Sequence, residues 1–103
     1  MPQILIQNMV GCARMEIQGL SGEDAKALQD AVTGGASAIG FRMIPSPTKG
    51  LWVLHRNGGL NKDELRRAVE AITGFARERE YHADTLVTPV YCRVSWSDRP
   101  LAA

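Results

Sequence analysis

KGLWVLHRNGGLNKDELRRAVEAITGFA, residues 49–76, is the stretch that decides how this chain folds. It reads as a strand, a glycine turn and a long amphipathic helix. Leu51, Trp52, Val53 and Leu54 carry the strand, and Asn57-Gly58-Gly59 breaks it. Asn61 caps the helix, Glu64 three residues on completes a capping box, and Leu60 can staple onto Leu65 across the first turn. Leu65, Ala68, Val69, Ile72, Phe75 and Ala76 then recur at helical spacing. The stripe passes straight through Gly74, at a cost of about 1 kcal/mol, so the helix is expected to run to about Glu80.

Upstream of this unit, PSPTKG (45–50) cannot extend a strand, because each proline lacks a ladder donor. Ala38 to Ile44 alternates before it, so the two strands on either side of PSPTKG form a hairpin. Ser21 opens an earlier helix of about 12 residues, carried by Ala25, Leu28, Ala31 and Val32 and stopped at Gly34-Gly35. Residues 3–9 and 13–20 both alternate like strands, and Gly11 marks a hairpin or sharp bend between them. Downstream, Tyr81 to Thr88 reads as a polar connection. Val90 to Trp96 reads as the last strand, and residues 98–103 as a flexible tail.

From Ala13 onward the order is strand, helix, strand, strand, helix, strand. Two amphipathic helices joining antiparallel strands point to an α+β fold. The expectation is a single domain, a ferredoxin-like βαββαβ two-layer sandwich with an extra N-terminal strand. A chain of 103 residues suffices for one such core.

Composition excludes several function classes. Twelve Lys and Arg against 11 Asp and Glu leave almost no long-range field, which argues against strong non-specific binding to nucleic acid or an acidic membrane. No apolar run approaches the roughly 18 residues of a membrane span, so no membrane partner is expected. The N-terminus shows no secretory pattern, and two distant cysteines make no disulfide scaffold, so a reducing, cytoplasmic setting is the default.

Catalytic groupings are sparse. By parity Cys12 points to the open side of the sheet and Cys92 inward, which disfavours a bridge. His82 with Glu78 and Asp84 lacks a second His or Cys at ligand spacing, so no metal and no cofactor are expected. Met1-Pro2 resembles the start of the tautomerases, whose exposed N-terminal proline amine acts as a base. The resemblance would make Pro2 the catalytic residue of a small oligomeric enzyme, and Cys12 with His55 is a second candidate pair. Neither shows the acid, base and nucleophile together, so no catalytic residue is assigned and a non-enzymatic role is favoured.

The open face of the sheet carries the stronger signal. Arg42, Tyr91 and Arg93 point outward if Ile39, Phe41, Met43, Val90, Cys92 and Val94 point inward. On the central strand, Leu51, Val53 and His55 compete with Trp52, Leu54 and Arg56 for the inner face. Sending the second set outward yields a patch of Arg42, Trp52, Leu54, Arg56, Tyr91 and Arg93, which would call for a partner.

Several pieces resemble the RNA-recognition motif. ILIQNM (4–9) is similar to its first short consensus, KGLWVLH (49–55) to its second, AVEAITGF (68–75) to its second helix and YCRVSW (91–96) to its last strand. The resemblance implies the same fold class and a sheet that stacks bases of single-stranded RNA or DNA. Leu5 stands where that family places a stacking aromatic, and KGLWVLH offers Trp52 alone. Near-neutral charge therefore favours a protein partner or a homodimer over nucleic acid, and a small regulator or inhibitor fits that role.

Overall fold

The computed structural model describes residues 2–33, 39–46, 48–88 and 91–98. The fold is α+β: one six-stranded antiparallel sheet with two helices packed on one of its faces. The strands are β1 (Gln3–Asn8), β2 (Cys12–Gln18), β3 (Arg42–Ile44), β4 (Leu51–Asn57), β5 (Tyr81–Val87) and β6 (Tyr91–Asp98). The helices are α1 (Gly22–Thr33) and α2 (Lys62–Glu78), and the spatial order of the strands is β3-β4-β2-β1-β6-β5.

The core lies between the helices and the near face of the sheet. Ile4 and Ile6 of β1 face Ile17 and Met15 of β2 on one side and Val94 and Cys92 of β6 on the other. All six are at most 1% exposed. Leu28 and Val32 of α1 and Ala68, Ile72, Phe75 and Ala76 of α2 close the layer above them. Burying each large side chain such as Ile72 or Phe75 contributes about 1.5–3 kcal/mol. The bend at Gly11 is a hairpin, with Met9 N–H donating to the Cys12 carbonyl at 2.9 Å.

The α2 start behaves as its residues dictate. The Asn61 side chain accepts from Glu64 N–H at 2.8 Å and Glu64 accepts from Asn61 N–H at 3.1 Å, the reciprocal box. Arg56 also bonds Glu64 and donates to the Ile39 carbonyl at 3.1 Å, tying β4 to the helix start. The Arg56 guanidinium, followed by the Asn61 N–H, holds the Glu64 carboxyl below its usual value of 4.5.

Gly74 is helical with open space where a Cβ would stand. Gly74→Ala is therefore expected to stabilise the chain by about 0.5–1 kcal/mol, read as a raised denaturation midpoint at unchanged m. A lower midpoint would mean that the space is not open.

Four expectations need correction. The strand order is not that of a four-stranded ferredoxin-like sheet. Strands β3, β4 and β2 do sit in that order, but β1 occupies the place beside β2 where the closing strand would lie. A three-residue turn joins β1 to β2, so that local pairing costs far less loop entropy than a pairing with the distant C-terminal strand.

Second, Tyr81–Val87 is a strand, not a connection. It can be polar because it is an edge: Tyr81 and Ala83 pack on the core, while Thr85, Leu86 and Val87 stay exposed.

Third, the last strand continues to Asp98, one residue into the expected tail; residues 99–103 lie outside the described ones, as do Gly34-Gly35 and Val90. Fourth, the strand before PSPTKG is only Arg42–Ile44, with Ile39 and Phe41 buried ahead of it in irregular chain. Gly40 between them takes a φ of 81°, which breaks the pleat.

Candidate functional site: the uncovered sheet face

Both helices lie on one side, so the other side of the sheet has no second layer. Register places two rows of side chains across it. One row is Arg42, His55, Arg14, Gln7 and Tyr91; the other is Ile44, Val53, Glu16, Leu5, Arg93 and Leu86. Gln3, Gln18, Leu51, Ser95, His82 and Asp84 extend the same face.

The face is mixed in character. Leu5, Ile44 and Leu51 are half-buried, and Leu86 is 44% exposed. Val53 is only 1% exposed although no helix covers it, because its cross-strand neighbours Ile44 and Glu16 flank it. Arg14 pairs with Glu16 at 3.3 Å and His82 with Asp84 at 3.1 Å. Arg42 and Arg93 make no ion pair among the described residues and are exposed. A shallow depression of about 280 Å³ is lined by Gln3, Leu5 and Gln7 of β1 and by Tyr91 and Arg93 of β6.

Of the six residues expected here, Arg42, Tyr91 and Arg93 are on this face. Trp52, Leu54 and Arg56 are not. Leu54 is 0% exposed in the core opposite Met15, and Trp52 sits opposite Ile17 with its indole N–H donating to the Leu20 carbonyl at 3.3 Å. Arg56 is held by Glu64 and Ile39 on the helix side. The alternative set Leu51, Val53 and His55 faces outward instead. Both sets hold two apolar residues and one basic one, so composition could not separate them; pairing to β2 does.

Sequence reading missed Arg14, Glu16, His82, Asp84 and Leu86 as members of the face. The inward parity of Ile4, Ile6, Met15 and Ile17 would have placed the first two. The β5 residues were hidden because that strand was read as a loop.

The catalytic candidates are poorly assembled. Pro2 is buried and its carbonyl accepts from Trp96 N–H at 2.9 Å. Cys12 and His55 occupy diagonally neighbouring positions on the open face, with no hydrogen bond between them. Cys92 is 1% exposed, and burial pushes its thiol pKa up, away from the reactive thiolate. Among the described residues no three His, Cys, Asp or Glu side chains converge as metal ligands. No described helix is long and apolar enough to cross a membrane.

No family model matches the chain, and no curated protein sequence does. The fold is similar to that of a conserved kinetoplastid-specific protein from Trypanosoma cruzi, with a TM-score of 0.64 and 9% identity. The match covers 96% of this chain and 97% of that one. At that identity the likeness speaks to the fold alone.

Proposed function

We propose that the chain is a non-enzymatic binding module that docks a protein partner through the uncovered face of its sheet, acting as a small regulator or inhibitor. The observation that carries this reading is the row Ile44, Val53, Glu16, Leu5, Arg93 and Leu86, in which Ile44, Leu5 and Leu86 leave apolar surface accessible on a face with no second layer. Exposed Arg42 and Arg93, without acidic partners among the described residues, suit a partner, or a second copy of the chain, that presents carboxylates opposite them. The depression beside Tyr91 offers a seat for one anchoring side chain. Tyr91 is the aromatic side chain that this face presents, and Trp52 lies on the helix side, which weighs against base stacking as the main mode.

Replacing Tyr91 and Arg93 together by Ala is expected to leave the melting temperature nearly unchanged, since both side chains lie outside the core. The double variant should lose self-association in native mass measurement and lose crosslinks made to a partner through a photoreactive group at position 5. A variant that keeps every assembly of the native chain would overturn the reading. Binding of added single-stranded RNA by the native chain alone would favour nucleic acid instead.

A further inference from the structure

A cleft lies at the end of the sandwich where Pro45, Ser46 and residues 48–50 stand beside the start of α1, and it takes in Ile44 and Leu51 from the edge of the open face. It has a volume of about 870 Å³, within the usual range of small-molecule sites. Its walls are mainly apolar: Leu20, Met43, Ile44, Leu51 and Trp52 all line it and all remain part-exposed, and Leu20 and Trp52 pack against the core. Trp52 is held in place from two sides. Its indole N–H is spent on the Leu20 carbonyl, and its ring lies so near Gly22 that a Cβ there would approach it to 3.2 Å. The ring therefore presents its hydrocarbon surface to the cleft, with no polar demand of its own.

Charge at the rim is of one sign. Among the described residues Lys49 is the single charged one in the lining, and it is exposed. In the first turn of α1, Asp24 N–H donates to the Ser21 hydroxyl at 3.1 Å and Ala25 N–H to the Ser21 carbonyl at 2.9 Å, so these two groups are spent within the chain. Asp24 itself is turned to Arg79 at 3.5 Å.

We propose that this cleft binds a small apolar anion, an aromatic or branched carboxylate, with its hydrocarbon body against Trp52 and its carboxylate at Lys49. An apolar wall supplies the affinity and a lone rim cation selects the sign of charge.

The test is an NMR titration of the native chain with naphthoate, naphthyl methanol and naphthylmethylamine, which share one ring system and differ in charge. Naphthoate should bind tightest and shift the Gly22 and Gly50 amides and the Trp52 indole in a saturable way. Lys49→Ala should weaken naphthoate by up to about fivefold, the upper end for a solvent-exposed ion pair, and leave the alcohol unchanged. Lys49→Glu should reverse the order of acid and amine. Lys49 is exposed, so neither variant disturbs the fold. Shifts that do not saturate, that spread over the sheet, or that rank all three compounds alike would overturn the proposal, as would an acid affinity indifferent to Lys49.

Discussion

Replacing Trp96 by Ala is expected to cost about 3–5 kcal/mol, enough to unfold many domains of this size. Trp96 is 0% exposed and lies between Phe75 of α2, at 5.7 Å between ring centroids, and Tyr81 of β5, at 5.6 Å. It is the contact through which the last helix, the edge strand and β6 share one core, so the cavity left by truncation has walls on three elements. Those walls belong to separately anchored elements and cannot all collapse inward. The indole N–H finds no acceptor among the described residues, which already costs about 1–3 kcal/mol. Trp96→Phe should therefore lose only a fraction of the alanine cost, because it removes that unpaired donor together with part of the ring. Urea midpoints of the two variants at equal m would show the order, and a phenylalanine variant as weak as the alanine one would refute this account.

The second large effect is expected at the junction between the β1–β2 turn and the β4–α2 loop. The Asn8 side chain donates to the Leu60 carbonyl at 2.9 Å and accepts from Leu60 N–H at 2.7 Å, bridging positions 52 residues apart. Asn8→Ala leaves both groups of a buried backbone segment without partners. At about 1–3 kcal/mol for each group stranded, the loss should total about 2–6 kcal/mol. Gly59 belongs to the same junction, since a Cβ there would come within 2.4 Å of the Met9 carbonyl, a backbone atom that cannot turn aside. Gly59→Ala should thus pry the turn from the loop and break the Asn8 bridge as well. The double variant is expected to cost less than the sum of the two singles. Full additivity in equilibrium denaturation would show that the two residues act apart.

Much of the fold was legible because its signals are local. The capping box of Asn61 and Glu64, the Ser21 start, the hairpin at Gly11 and the inward parity of Cys92 and Val94 need only neighbours in the chain to be read. Strand β5 was not, because an edge strand buries little and so carries little apolar pattern. The open face was half legible. Arg42, Tyr91 and Arg93 followed from the alternation of Phe41, Met43, Cys92, Val94 and Trp96 on one parity, whereas β4 has apolar residues on both. Leu54 and Val53 are each at most 1% exposed, on opposite faces, which is why β4 reads the same either way round.

By itself the sequence determined both helices, their N-terminal starts, the face each turns to the core and every strand but the edge strand β5, because these depend on spacing within about one or two turns of chain. Only the tertiary structure decided where β1 pairs, which way β4 faces and what becomes of residues 49–54. Register settles all three, and register is set by partners far away in sequence. Pairing to β2 turned Trp52 away from the open face, toward Leu20 and Gly22. There it became the wall of a cleft that begins with the first residues of the stretch that decided the fold.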